Sequence, residues 1–146
     1  MKSLLIFLLS FTIFQTASAE ESTNTVYKGT VNNRPVILYL KEYPNPCGGE
    51  TGYLYTGIYQ YGTTFGKNWL ELSITDNGKG NFCMTEFGFT GVLILKKSAN
   101  TLQGVWISPD GKTQLKVNLK SQEVSDKYRE ELEERLEKTH YSNHDC

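Results

Sequence analysis

The sequence predicts a mainly β protein: an antiparallel, eight-stranded meander β-barrel followed by one C-terminal α-helix. Three features carry this prediction. Short apolar or aromatic runs alternate with turn residues between Thr25 and Lys120, a segment dense in helix formers follows, and an apolar leader precedes both. The predicted organisation is a signal peptide at 1–19, a β-barrel domain at 20–122, and a C-terminal helix and tail at 123–146.

The leader has the three parts of a secretory signal. Lys2 supplies the positive charge, Leu4 to Phe14 forms the apolar stretch, and Ala17-Ser18-Ala19 is a cleavage site of small residues. A membrane span needs about 20 apolar residues, and this stretch is roughly half that length. We therefore expect cleavage before Glu20, no transmembrane segment afterwards, and export: to the periplasm in a Gram-negative bacterium, otherwise secretion.

The charge of the mature chain excludes two classes of partner. Removing Lys2 from the 15 Lys and Arg leaves 14 against 16 Asp and Glu, a net charge of −2. A nearly neutral chain is not drawn to nucleic acid or to an anionic membrane surface. Without its first 19 residues the 146-residue chain keeps 127, which suits one domain.

Eight strands are predicted from the apolar runs, and alternation within them predicts the core. Asp76 to Gly80 and Pro109 to Gly111 have the strongest turn chemistry. Glycines inside or beside the strands, at 29, 52, 57, 88, 91 and 104, favour a closed barrel over a sandwich because they let a coiled sheet bend. The predicted strands are Thr25–Asn32, Arg34–Lys41, Gly52–Gln60, Asn68–Thr75, Gly80–Glu86, Phe89–Lys96, Thr101–Ser108 and Lys112–Lys120. The predicted core residues are Val36, Leu38, Leu40, Leu70, Leu72, Ile74, Phe82, Met84, Leu115, Val117 and Leu119.

The helix is predicted from Ser125 to Thr139, with Ser125 as its N-cap. Its apolar stripe is narrow, formed by Tyr128, Leu132 and Leu136. Such a stripe predicts docking on the outside or at the mouth of the barrel. Asn143 and the nearby chain end predict a frayed tail after Thr139.

Three cysteines enter an oxidising compartment, so one disulfide and one remaining thiol are expected. Strict strand alternation places Cys47 and Cys83 near one end of the barrel. Cys47–Cys83 is the preferred pair, while pairing of either with Cys146 stays open.

The two histidines, His140 and His144, lie in the last seven residues, away from any strand that could hold a catalytic partner. We therefore predict no catalytic residues and no enzyme activity. Histidines at i and i+4 would suit zinc or copper if the helix continued that far. Given the predicted fraying, they are weak metal candidates, and neither a metal nor a cofactor is predicted.

Four tyrosines of one predicted strand, Tyr53, Tyr55, Tyr59 and Tyr61, share one side of it; we call them the tyrosine face. This face could line a ligand-binding interior, contact a partner, or pack under the helix. Tyr43 and Phe65 lie in two loops that are predicted to protrude. With the tyrosine face they form the predicted binding residues. Large side chains predicted to point inward could instead fill the barrel, namely Trp69, Phe82, Met84 and Trp106.

The order of signal peptide, eight-stranded meander and few cysteines resembles small exported barrels of Gram-negative bacteria, such as lysozyme inhibitors and avidin-like proteins. The resemblance covers Thr25 to Lys120 and is one of architecture. It lends no site residues, because neither the Ser-Gly-x-x-Tyr and Tyr-x-x-Lys motifs of the inhibitors nor the spaced tryptophans of a biotin site occur.

The expected function is that of a non-catalytic exported binding protein. Its expected partner is a protein of the cell envelope, such as a lysozyme or a peptidoglycan-degrading toxin that it neutralises as an inhibitor or immunity protein. The alternatives are a carrier of a small apolar ligand inside the barrel and a structural or assembly factor of the envelope. A homodimer is left open.

Overall fold

The chain folds as a closed barrel of eight antiparallel strands in sequence order, with the last strand pairing back onto the first. The computed structural model describes residues 22–48, 52–62 and 69–145. The predicted signal peptide at 1–19, Phe65 and Cys146 lie outside the described residues. The predicted fold class, a mainly β meander barrel with one C-terminal helix, is confirmed.

The strand bounds lie within a few residues of those predicted. The largest differences are in β2, which continues to Pro44, and in β6, which begins at Val92 because the residues from Phe87 to Gly91 form a turn. Phe89 lies in this turn with a φ of 54°, a backbone conformation that no strand adopts. The strands are β1 Thr23–Val31, β2 Arg34–Pro44, β3 Tyr53–Tyr61, β4 Trp69–Asp76, β5 Asn81–Glu86, β6 Val92–Ser98, β7 Thr101–Ile107 and β8 Gln114–Gln122.

The barrel interior is filled by the inward side chains of all eight strands. Every predicted core residue belongs to this interior cluster, and Leu70, Ile74 and Leu115 are its partly buried members. Trp69 was predicted to point inward, and this was wrong. Because side chains alternate along a strand, the inward position of Leu70 turns Trp69 outward, where it packs beneath the helix.

Two strand glycines permit close contact between neighbouring strands. A Cβ atom on Gly29 would lie 2.0 Å from the carbonyl oxygen of Asn118, and one on Gly104 would lie 2.0 Å from that of Ile94. Any larger residue would force these strand pairs apart. Both positions therefore require glycine for the tight coiling of the closed barrel.

Helix α1 spans Asp126–His144, five residues beyond the predicted end at Thr139. The Ser125 hydroxyl caps it by accepting the Tyr128 N–H at 3.3 Å, as predicted. The prediction of fraying was wrong because the last turn has partners. Asn143 Nδ2 donates to Glu71 at 2.8 Å, and the Asp145 N–H donates to the Tyr141 carbonyl at 3.0 Å.

The helix docks on the outside of the barrel along its apolar stripe. Leu132 and Leu136 are buried against Val26, Tyr39 and Ile58. Polar contacts flank this apolar stripe. Glu133 accepts hydrogen bonds from the Tyr39 hydroxyl and the Lys41 ammonium. Arg129 Nη1 donates to Asn24 Oδ1 at 2.6 Å. The described residues include no helix that is both long enough and apolar enough to cross a membrane.

The strand alternation gives the barrel two distinct ends. The proximal end carries the β2–β3, β4–β5 and β6–β7 connections and the start of α1. The distal end carries the β1–β2, β3–β4, β5–β6 and β7–β8 connections.

Cys47 and Cys83 are both free and exposed, so the predicted Cys47–Cys83 disulfide is not formed. Cys83 lies on β5, two strands away from β3, at which the loop that contains Cys47 ends. Neighbouring strands are about 4.8 Å apart, so two strand spacings exceed the Cα separation of about 7 Å that a disulfide tolerates. Sharing an end of the barrel therefore does not bring the two thiols together.

Candidate functional site

Two polar clusters lie on opposite sides of the β4–β5 wall near the distal end. Inside the barrel, Tyr59 and Trp106 donate to the carboxylate of Glu86, the Tyr59 hydroxyl meets that of Tyr61, and Thr90 donates to the carboxylate from the β5–β6 turn; we call these residues the Glu86 cluster. Outside the barrel, the carboxylate of Glu71 meets two histidines from the last turns of α1; we call Glu71, His140 and His144 the histidine cluster.

The Glu86 carboxylate is buried, with 3% of the residue exposed, and its partners come from three elements. Its Oε1 atom accepts from the Tyr59 hydroxyl and, at 2.6 Å, from Trp106 Nε1. Its Oε2 atom accepts from Thr90 Oγ1 at 2.5 Å. A buried carboxylate with this many donors is satisfied by hydrogen bonds rather than left unpaired.

The two tyrosines of this cluster remain protonated. Burial raises the pKa of Tyr59 far above its ordinary value of 10, and the hydrogen bond to Glu86 raises it further. Burial likewise raises the pKa of Tyr61, whose hydroxyl lies 3.0 Å from that of Tyr59. Both phenols therefore act as hydrogen-bonding groups and not as acids at neutral pH.

The Glu86 cluster fixes the turn between β5 and β6. The Glu86 carbonyl accepts the Phe89 N–H at 2.8 Å, and the Thr90 side chain is held by the Glu86 carboxylate. The Phe87 N–H donates to the Glu71 carbonyl at 2.9 Å. This anchored turn nevertheless leaves 44% of Phe87 and 56% of Phe89 exposed to solvent.

A cleft of about 490 Å³ lies between this turn and the last turns of α1. Small polar side chains on the outward side of the sheet contribute to its lining, namely Thr56, Ser73 and Thr85. Larger groups complete it, including Tyr43, Phe87, Phe89, His140 and His144. The cleft is therefore lined by aromatic residues and by the histidine cluster.

The histidine cluster joins the helix to strand β4. Glu71 Oε1 lies 2.6 Å from His140 Nδ1, and Glu71 Oε2 lies 3.1 Å from His144 Nε2. The Glu71 side chain is only 10% exposed, whereas those of His140 and His144 are 62% and 50% exposed. The cluster thus has a fixed, buried carboxylate and two imidazoles that solvent can reach.

The two imidazoles also contact each other and the neighbouring turn. Their ring centroids are 4.4 Å apart, and the His144 ring meets the edge of Phe87 at 5.4 Å. Burial alone would raise the pKa of Glu71. The hydrogen bonds from His140 and Asn143, with the charges of both histidines, outweigh burial and hold the pKa below its ordinary value of 4.5.

The predicted binding residues are divided between the interior and the surface. Tyr59 has no exposed surface, and Tyr55 and Tyr61 pack against the interior core, so these three residues of the tyrosine face line the barrel. The Tyr55 ring meets the edge of Phe82 at 5.1 Å. Tyr59 therefore cannot contact a partner in this fold. Tyr43 and Tyr53 are half-buried, at the proximal ends of β2 and β3.

Sequence reasoning missed the two carboxylates and the two exposed phenylalanines. Glu86 could have been found, because it ends a predicted strand and is a charged residue that continues the inward alternation of Phe82 and Met84. No comparable signal identifies Glu71. The histidine spacing was noted, but its partner on β4 is a tertiary contact that the sequence does not show.

No protein-family model, curated protein or solved structure matches the chain.

Proposed function

We propose that the mature chain is an exported, non-catalytic binding protein that neutralises a cell-wall-degrading enzyme, such as a lysozyme or a peptidoglycan-degrading toxin, by direct contact. The observation that carries this proposal is the exposure of Phe87 and Phe89 on a turn that the Glu86 cluster anchors from inside. Tyr43 and Tyr53 are the proposed contacts at the proximal end.

Aromatic side chains on a fixed turn are a favourable starting point for binding. Burying the exposed parts of two phenylalanines removes apolar surface from water, and Phe is enriched with Tyr and Trp in the cores of interfaces. Because the turn is already ordered, binding does not incur the loss of conformational entropy that ordering a flexible loop would cost. The adjacent cleft gives a side chain of the partner a place to insert.

The carrier alternative is less well supported. Large side chains that are fully buried occupy the interior, including Tyr27, Tyr59, Met84 and Leu93. A cavity at the distal mouth, between Arg34, Tyr61 and Trp106, has a volume of about 180 Å³. Sites for drug-sized ligands usually measure about 300 to 1,000 Å³. A protein partner is therefore the better match.

The test is inhibition of purified cell-wall hydrolases by the mature protein. A panel of lysozymes and peptidoglycan-cleaving toxin domains is assayed for hydrolysis of purified peptidoglycan, and complexes are quantified by size-exclusion chromatography. We expect a stoichiometric complex with at least one enzyme and loss of its activity. A small molecule that co-purifies with the chain, with no inhibition across the panel, would support the carrier alternative.

The surface is tested with matched variants. The double substitution Phe87→Ser and Phe89→Ser should weaken the complex by about tenfold or more, because it removes both exposed rings. Ile94→Ser is the control, since Ile94 is 43% exposed on β6 and lies apart from the turn. Equal affinity of the double variant and the wild type, with both folded by circular dichroism, would refute the proposed surface.

A further inference from the structure

We propose that Glu71, His140 and His144 bind one divalent transition-metal ion, with zinc as the ion that this donor set fits best. The site joins the last two turns of α1 to strand β4. The proposed metal ligands are imidazole and carboxylate groups, whereas the proposed contact surface is formed by phenylalanine rings. Both groups of residues line the same cleft.

The donor atoms have the chemistry of a zinc site. Two imidazole nitrogens and one carboxylate oxygen are ligands of intermediate hardness, which suit Zn²⁺ and Cu²⁺ better than Mg²⁺ or Ca²⁺. Histidines four residues apart on a helix present both rings on one side, and here α1 continues through both of them. The helix therefore continues far enough for both histidines to bind the same metal ion.

The distances are close to those that a metal requires. All the donor atoms of the cluster lie within 4.8 Å of one another. Ligands at about 2.0 to 2.1 Å from a tetrahedral zinc ion are about 3.3 Å apart. The Glu71–His140 and Glu71–His144 contacts, at 2.6 and 3.1 Å, therefore need to open by less than about 1 Å to admit the ion.

The carboxylate is already oriented for this role. Asn143 Nδ2 donates to Glu71 Oε2 at 2.8 Å. Contacts of this kind fix the direction of a metal-binding carboxylate. The helix itself is already held by Leu132, Leu136 and Glu133, so docking alone does not explain why two imidazoles converge on one carboxylate.

The site leaves room for ligands beyond the three protein groups. Both imidazoles are at least half exposed, so water can complete the coordination from the cleft. The spacing His140-x-x-x-His144 also occurs in zinc proteases, where a glutamate after the first histidine acts as the base. Here that position is Tyr141, which agrees with metal binding without hydrolysis.

Calorimetry on the chelator-treated mature protein tests the proposal. Zn²⁺ and Cu²⁺ are titrated separately, with Mg²⁺ and Ca²⁺ as comparison ions. The background protein carries Cys47→Ser, Cys83→Ser and Cys146→Ser, so that thiols cannot contribute ligands. We expect one equivalent of Zn²⁺ to bind with a micromolar or tighter Kd and to raise the Tm. Bound Co²⁺ should show the visible absorption of tetrahedral cobalt.

Variants assign the ligands. His140→Ala, His144→Ala and Glu71→Gln should each weaken Zn²⁺ binding by about tenfold or more and remove the rise in Tm. Glu137→Gln is the matched control, because it removes an exposed carboxylate from the same helix. Circular dichroism establishes that each variant is folded. Full-affinity binding by the double variant His140→Ala and His144→Ala, loss of binding in the thiol-free background, or preference for Mg²⁺ would each overturn the proposal.

Discussion

Trp106 on β7 donates its indole N–H to the carboxylate of Glu86 on β5 across 2.6 Å inside the barrel. These two strands do not pair, because β6 lies between them. The same carboxylate accepts from Tyr59 on β3 and from Thr90 in the β5–β6 turn. One buried group therefore links three strands and the turn that exposes Phe87 and Phe89.

Removing this carboxylate should destabilise the barrel strongly. Glu86→Ala leaves the Trp106 N–H and the Thr90 hydroxyl without their acceptor, and Tyr59 keeps only the Tyr61 hydroxyl, which should cost about 3 to 5 kcal/mol in the free energy of unfolding. Glu86→Gln keeps an acceptor oxygen and should cost about 1 to 2 kcal/mol. Urea unfolding followed by circular dichroism measures both values. Equal losses in the two variants would show that the hydrogen bonds to Glu86 do not contribute to the stability of the barrel.

A methyl group at Gly91 should displace Trp106 from Glu86. A Cβ atom on Gly91 would lie 2.2 Å from Trp106 Nε1, the atom that donates to the carboxylate. We expect Gly91→Ala to cost about 2 kcal/mol or more and to shift the tryptophan fluorescence. Gly111→Ala is the control: its φ is 70° but its Cβ would meet nothing within 4 Å, so it should cost only about 1 kcal/mol. Unchanged fluorescence in Gly91→Ala would contradict the predicted displacement.

The fold could be predicted because its determinants are local. Alternation in β2, β4 and β8 identifies which side chains face inward, and the turn residues mark where strands end. The helix limits were less predictable. Its last turn is stabilised by the contact of Asn143 with Glu71, which lies 72 residues earlier in the chain.

The candidate sites could be predicted only in part, because they depend on pairs of residues that are distant in sequence. The spacing of His140 and His144 is visible, but a metal site needs Glu71 from β4 as well. Cys47 and Cys83 show the opposite case. Alternation placed them at one end of the barrel, yet Cys83 lies on β5, two strands from the end of the loop that contains Cys47, and the pair does not form.

The contact of Leu132 with the barrel should carry much of the stability of helix docking. Leu132 has no exposed surface and packs in the cluster of Val26, Tyr39 and Ile58. Leu132→Ala should lower the free energy of unfolding by about 2 to 4 kcal/mol, because it leaves a cavity under the helix. Lys127→Ala changes an exposed position of the same helix and should stay within about 0.5 kcal/mol of the wild type. Alanine has the highest helix propensity, so a loss cannot come from propensity, and a similar loss in both variants would contradict the role of Leu132 in docking.

Glu133 should make helix docking sensitive to acid. Burial alone would raise its pKa, but the hydrogen bonds from Lys41 and Tyr39 and the charge of Lys41 outweigh burial and lower the pKa below 4.5. The folded state therefore binds this proton less readily than the unfolded state. The stabilisation is complete above about pH 4.5 and is lost as the pH falls through the lowered pKa.

The variant Glu133→Gln isolates this effect, since Glu71 and the other carboxylates titrate equally in both proteins. At pH 7 the variant should be less stable by about 1 kcal/mol, a modest value because both partners of the ion pair are partly exposed. At a second pH well below 4.5, low enough to protonate Glu133 in the folded wild type, the difference should shrink toward zero. Urea unfolding at the two pH values measures it. A difference that stayed constant between them would show that the Glu133 charge does not contribute to docking.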